Sequence, residues 1–311
     1  MKILILGYSG YVGIGVYNVL KKNNHIVTGV SRKNSFKIKN YKNFNFLKKK
    51  NNLKKIIMEF DVIINCYGEV KNENLMKKTH ITQHKKIVEI VSYYAEKFSK
   101  KIHWIQISTL GVYGFDGFGK IKQNINDKTF VNPLSVYEKT KLGSEIILKN
   151  YSNRFLKYTI LRVGTVISKD SRKTLFDIII SLLNKNIIIF LNTKKTIFNV
   201  IYKDDLSNII EKCIFNQKTF GKTYLVSLNI SLKEIIFFFK KKRLFSLSIK
   251  VPLIIAKFFI IIFNLFKIKK IELHKLNFFI YKRRVSMKNI LTDLNYKIKF
   301  NHKKIIKERL L

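Results

Sequence analysis

The first twenty residues, MKILILGYSGYVGIGVYNVL (1–20), decide how the rest of the chain is read. Ile3 to Leu6 form an apolar run without inside/outside alternation, as expected of a strand covered on both faces. Glycines follow at Gly7, Gly10 and Gly13, and a helical spacing of apolar residues then runs through Leu20. In that context a GxxGxxG turn, here with Tyr11 and Val12 inside it, lets the backbone approach a pyrophosphate lying at the helix N-terminus. A glycine turn between strand and helix also serves packing alone, so the motif needs support from elsewhere.

Support comes from the order of elements. HIVTGVS (25–31), DVIINCYG (61–68), IHWIQIS (102–108) and KYTILRVG (157–164) read as further strands, with helices over about 75–98 and 136–150 between them. Strands alternating with helices, and apolar throughout, predict an α/β fold with a doubly wound parallel sheet of the Rossmann type over 1–167. Beyond it, 168–311 reads as a smaller C-terminal α/β substrate lobe, interleaved with the first domain and not a separate folding unit. TIFNVIY (196–202) and GKTYLVS (221–227) are its expected strands.

Composition excludes several classes. Apolar residues make up 47% of the 311, too many for a disordered chain. Lys plus Arg number 61 against 19 acids, a net charge of +42 that raises nucleic acid or an anionic membrane as partner. The basic residues are scattered through every segment without an RNA-binding or zinc-finger signature, so no nucleic-acid partner is expected. Cys66 and Cys213 are the only cysteines; they indicate no disulfide framework and suit a reducing, cytoplasmic location. The apolar stretch VPLIIAKFFIIIFNLF (251–266), interrupted by Lys257 and Asn264, is shorter than the roughly 20 residues of a spanning helix. Flanked by KKKR (240–243) and by Lys267, Lys269 and Lys270, it reads either as a buried helix or as a contact with an anionic membrane surface.

Two features carry chemistry. The second strand ends in Ser31 and Arg32, where an NAD site would present an acid to the ribose 2′-hydroxyl; an Arg accommodates a 2′-phosphate, so NADP is favoured over NAD unless Arg32 is one more scattered basic residue. In SVYEKTKLGSE (135–145), Tyr137 and Lys141 are four apart and share a helix face. An ammonium beside a phenol is expected to lower its pKa, so that it exchanges a proton with a sugar hydroxyl or ketone while hydride moves to or from nicotinamide. Upstream, ISTLGVYG (107–114) places Ser108 and Thr109 at a strand end, where a hydroxyl can bond the same reacting oxygen.

With these pieces in this order the sequence resembles the extended short-chain dehydrogenase/reductase family, in particular its nucleotide-sugar epimerases, dehydratases and 4-ketoreductases. The resemblance runs over almost the whole chain, including LRVG (161–164), NVIYKDDLSN (199–208), VPLIIAK and the closing MKNILTDLNYKIKF. It implies that Thr109 orients the substrate, with Ser108 as second choice, that Tyr137 is the general acid/base, and that Lys141 binds the nicotinamide ribose. It also implies a pyrophosphate turn at Gly7, Gly10 and Gly13, a cofactor-facing strand end at Cys66, Tyr67 and Gly68, a nucleotide-sugar substrate from glycan precursor synthesis, and a homodimer through the two long helices.

Departures from the family pattern are equally specific. FNFLKKK (44–50) lacks the acid that would bind adenine, His80 stands where Asn is common, and Tyr202 where His is common. Asp205 is expected to cap the helix that follows it. His80 and His84 are four apart, but no third ligand accompanies them and no metal is expected. A non-catalytic nucleotide-binding scaffold is the alternative to an enzyme, and neither the sugar nor the choice between reduction and epimerisation can be read from these residues.

Overall fold

A computed structural model describes residues 1–31, 41–43, 59–114, 124–169, 174–191, 196–241, 247–252, 254–255, 258, 261 and 283–309. The opening run is β1 (Lys2–Leu6), and its pleat explains the sheet. Ile3 and Ile5 pack into one core, and Leu4 and Leu6 into another on the opposite face. Gly7–Gly10 then turn the chain into α1 (Tyr11–Lys22), which leads to β2 (Ile26–Ser31), β3 (Tyr41–Asn43) and β4 (Val62–Asn65).

The helix expected over about 75–98 is broken in register. It consists of α2 (Glu73–Lys77), a π-helical turn (Lys78–Gln83) and α3 (His84–Lys97). Then come β5 (Ile102–Thr109), a 3₁₀ turn (Leu110–Tyr113), β6 (Asn124–Ile125), α4 (Val136–Tyr151) and β7 (Leu156–Val163). The second part of the chain contributes β8 (Thr165–Ile167), α5 (Leu175–Asn184), β9 (Ile187–Leu191), β10 (Ile197–Tyr202), α6 (Lys203–Cys213), β11 (Lys222–Val226), β12 (Leu228–Ser231) and α7 (Leu232–Lys240). It closes with β13 (Leu247–Val251), β14 (Arg284–Val285), α8 (Lys288–Asp293) and α9 (His302–Arg309).

The main sheet has the order β11-β7-β5-β4-β1-β2-β3, and every pairing in it is parallel. Its strand order reverses between β1 and β4, which opens a crevice at their carboxyl ends. Small sheets β12-β10-β8, β13-β9 and β14-β6 lie outside it.

Two expectations need correction. GKTYLVS does not join TIFNVIY in a second lobe: β11 is the edge strand of the main sheet beside β7, its Tyr224, Leu225 and Val226 all buried there, whereas β10 sits in a small sheet. Asp205 does not cap α6, whose N-cap is Tyr202. Its fully buried carboxylate instead accepts from Tyr296 Oη (2.6 Å) and the backbone N–H groups of Lys299 (2.9 Å) and Phe300 (2.8 Å), clamping the C-terminal segment. Of the 251–266 stretch, Ile254, Ile255, Phe258 and Ile261 are exposed, and among the described residues no helix is long and apolar enough to cross a membrane.

Buried histidines tie the layers together. His84 donates from Nε2 to Ser144 O (3.1 Å) on α4 and faces Asn65 Nδ2 through Nδ1 (3.3 Å), with its ring edge-on to Trp104. His103 faces Thr159 Oγ1 through Nε2 (2.9 Å) and accepts from Phe215 N at Nδ1 (3.2 Å). Burial pushes both from the ordinary 6.5 down to about 3. A folded histidine that stays neutral at pH 5 binds no proton where its unfolded counterpart does, so stability is lost as pH falls below about 6.5. Each of the two should cost about 2 kcal/mol at pH 5 relative to pH 7.5. Denaturant unfolding at the two pH values checks this, and His103→Gln should flatten the dependence by its share.

Candidate active site

The crevice between β1 and β4 is flanked by the N-terminus of α1. Gly10 is its N-cap, with no side-chain cap and no acid in the first turn, whereas α4, α5 and α7 carry capping boxes of Ser135/Glu138, Thr174/Asp177 and Ser231/Glu234. The uncapped N–H groups and the helix dipole suit an anion such as a dinucleotide pyrophosphate. Gly7 has φ +78°, and a Cβ there would lie 2.5 Å from Tyr67 Cα; at Gly13 it would lie 2.4 Å from Gly7 O. Only glycine permits this closure of the turn against the end of β4.

The other cofactor candidates stand at the start of α1, at the end of β2 and just after β4. Tyr11 donates to Ser168 Oγ (2.7 Å), Val12 packs on the core, and Ser31 at the end of β2 bonds Ser9 through their hydroxyls. Arg32 lies outside the described residues. Cys66 N bonds Leu6 O (2.9 Å) and burial pushes its thiol up to about 12, against the pull of Lys141. Tyr67 is held by Asn65 Oδ1 (3.2 Å) and Thr79 O (3.1 Å), and Gly68 lies against His80 Nε2, 3.2 Å from where its Cβ would be.

The three catalytic candidates stand on the end of β5 and the first two turns of α4, which Lys141 ties together through Ile107 O. Thr109 is half-buried; its Oγ1 accepts from Gly111 N (3.1 Å), which leaves its proton free to be donated outward. Ser108 is not interchangeable with it, because the Ser108 hydroxyl is buried and donates to Glu145. Tyr137 opens α4, edge-on to His80 with ring centroids 5.9 Å apart. Lys141, one turn on, is buried and donates to Ile107 O (2.6 Å).

The expected lowering of the Tyr137 pKa is corrected by this geometry. Burial, aided by the neighbouring Glu138, pushes the phenol up to about 12. The Lys141 ammonium points to the β5 backbone, and its charge acts on Cys66, His80 and His84. Burial brings Lys141 itself down to about 8, opposed by Glu145 and Cys66.

Sequence reasoning passed over the residues that hold this site. Glu145, fully buried, takes Arg162 in a forked ion pair (Nη2 to Oε2 2.7 Å, Nε to Oε1 3.1 Å), and Arg162 Nη1 donates to Tyr113 Oη (2.8 Å). Its position four residues after Lys141 was a readable signal. His80 acts as a bracket: Nε2 accepts from Glu69 N (3.0 Å), so Nδ1 donates to Thr140 Oγ1 (2.9 Å), and Thr140 in turn bonds Tyr137 O (3.0 Å). Both nitrogens of His80 and of His84 are thus engaged by protein groups, and among the described residues no cluster of three His, Cys, Asp or Glu could hold a metal.

Residues 3–226 match the NAD dependent epimerase/dehydratase family. The chain belongs to that family. No curated protein matches it in sequence. Among solved structures it is similar to a short-chain dehydrogenase/reductase superfamily protein from Agrobacterium tumefaciens with bound NAD, at 13% identity and TM-score 0.73, over 100% of this chain and 96% of that one. It is also similar to UDP-glucuronic acid 4-epimerase from Bacillus cereus in complex with NAD (18%, 0.71, 100% and 96%). A third is UDP-glucose 4-epimerase from Thermotoga maritima with UDP-glucose (16%, 0.70, 100% and 97%). At these identities the likeness is one of fold.

Within this epimerase/dehydratase fold the Glu145 cluster makes a direct prediction. Glu145→Gln keeps the shape but leaves Arg162 without a countercharge in the core, and breaking a buried pair of this kind costs about 3–5 kcal/mol. Urea unfolding at pH 7 should show that loss. A loss under about 1 kcal/mol would mean that the pair is dispensable to the fold.

Proposed function

We propose that the chain is an NAD(P)-dependent enzyme of nucleotide-diphosphate sugars, one that exchanges hydride and a proton at a sugar carbon by 4-epimerisation or 4-keto reduction in glycan precursor synthesis. The observation that carries this reading is the junction of β5 and α4. There Lys141 Nζ rests on Ile107 O, and Glu138 packs against Gly111, where an added Cβ would come within 2.8 Å of its Cγ. With the end of β5 carrying Thr109 and the start of α4 carrying Tyr137, this docking supports a joint role for the two.

Bound nicotinamide would accept and return hydride; the protein handles the proton. In keto reduction Tyr137 Oη, protonated at neutral pH, donates to the oxygen that becomes a hydroxyl; in epimerisation its phenolate form first takes the hydroxyl proton as hydride leaves the carbon and gives it back when hydride returns. Thr109 Oγ1 donates to the same oxygen and orients it, since its acceptor side is taken by Gly111 N–H. Lys141 places a positive charge at the end of β5, where it acts on Cys66 and His80, near the ribose position that the resemblance implies. A non-catalytic scaffold would have no need of these three groups in one place.

Ser31 and Arg32, with no acid at the end of β2, favour NADP; the NAD in the Agrobacterium and Bacillus structures favours NAD and a recycling epimerase. A homodimer through α3 and α4 is part of the proposal, supported by exposed Tyr93 and Ile146 on those helices, and free Cys66 and Cys213 suit a cytoplasmic setting.

The test is to identify any nucleotide released from purified protein, titrate the emptied protein with NADH and NADPH, and assay UDP-glucose and UDP-glucuronic acid. Tyr137→Phe should lower kcat by about 100-fold or more while changing dinucleotide affinity by about twofold at most. Turnover that survives this substitution would sink the proposed role of Tyr137.

A further inference from the structure

Among 61 basic residues nothing in the sequence singles out Arg283, yet it is buried to 4% exposure. Long cationic side chains are seldom fully buried unless their donors are used. Here they reach across the chain to the turn that follows Thr109. Arg283 Nη2 donates to Leu110 O, Nη1 approaches Gly114 O (3.5 Å), and the guanidinium stands 5.9 Å from the Tyr113 ring. The first residue of the turn and the C-cap that follows it are thus addressed by one planar group, a geometry that Lys cannot reproduce.

The grip on Leu110 O has a stereochemical consequence. Leu110 C=O and Gly111 N–H belong to the same rigid peptide plane. Gly111 N–H is the donor to Thr109 Oγ1, so fixing the carbonyl fixes the direction from which the Thr109 hydroxyl is held. The rest of the turn cannot adjust freely, because Gly114 has φ +58° and a Cβ there would lie 1.8 Å from Asn132 O. Arg283 also feels the charge of Glu138, the residue after Tyr137.

Its own position is set by the small sheet. Asn199 on β10 donates to Arg283 O (3.1 Å) and to Asn229 Oδ1 (3.0 Å), while Asn229 on β12 exchanges bonds with Val285 N (2.8 Å) and Val285 O (2.9 Å). We propose that Arg283 is a positioning residue that orients the Thr109 hydroxyl through the Leu110–Gly111 peptide and so links the small sheet to the reacting centre. The kinetic part of this inference rests on the function proposed above.

The test compares Arg283→Lys, Thr109→Ala and the double variant, assayed on UDP-glucose and UDP-glucuronic acid. Arg283→Lys should lower kcat by about 10-fold with KM and dinucleotide affinity changed by about twofold at most, and should have no further effect in the Thr109→Ala background. Additive losses, or an unchanged kcat, would overturn the proposal. Hydrogen exchange supplies a readout that needs no substrate: in Arg283→Lys the amides of Gly111 and Gly114 should lose about 10-fold protection while those of Trp104 and Ile105 hold. Uniform loss, or none, would make Arg283 merely structural. If the wild type converts neither sugar, the proposed function fails, and exchange alone still decides the role of Arg283.

Discussion

The carboxylate of Glu145 is the constraint on which the other parts of the site depend. It is fully buried, and a carboxylate without solvent is tolerable only when its lone pairs are filled and its charge is matched. Arg162 on β7 supplies the charge and two bonds, Ser108 on β5 supplies another, and Lys141 adds a second positive charge one helical turn away. Because the Coulombic return roughly offsets the desolvation cost only with every partner in place, β5, β7 and α4 must dock together in one register. That same docking carries Tyr137 to the end of β5, so the electrostatics of the core and the geometry of the surface crevice share one cause.

A second device acts on the other flank. The π-helical turn at Lys78–Gln83 shifts the register between α2 and α3, and the histidine within it and the one that follows it face α4 with opposite tautomers: His80 protonated on Nδ1, His84 on Nε2. Being neutral, they bracket α4 without adding charge to a core that already holds Lys141, Arg162 and Arg283. Asn at position 80 could serve one of these bonds; an imidazole spans the wider gap from Glu69 N to Thr140 Oγ1.

What was legible in the sequence was whatever rests on periodicity or on short-range spacing. Apolar runs such as Ile3–Leu6 and Val62–Ile64 announced strands buried on both faces, and the Gly7–Gly13 turn and the Tyr137/Lys141 helix stood where their contexts required. GKTYLVS reads as a strand of the C-terminal lobe because an apolar strand carries no label of its neighbours; only the long return of the chain through α6 places Lys222–Val226 beside β7. Asp205 followed the local rule for an acid at a helix start, and long-range partners outcompeted it. Lys141 beside Tyr137 suggested a lowered phenol pKa, but a shared helix face does not aim the ammonium, which the Ile107 carbonyl does. Arg283 was invisible for a different reason, since its partners are main-chain carbonyls, and a carbonyl has no residue identity.

The C-terminal clamp has a consequence for how the protein comes into being. Leu110 and Arg283 are 173 residues apart, and Asp205 closes on Tyr296 and Phe300 from a distance of more than ninety. During synthesis the glycine turn, Thr109 and the Tyr137 helix all leave the ribosome long before the residues that tension the turn between them. Folding of the sheet can begin early, but such non-local closures come late and slowly. A growing chain would therefore hold the glycine turn and the Tyr137 helix for some time before Arg283 and the partners of Asp205 arrive to fix the turn after Thr109.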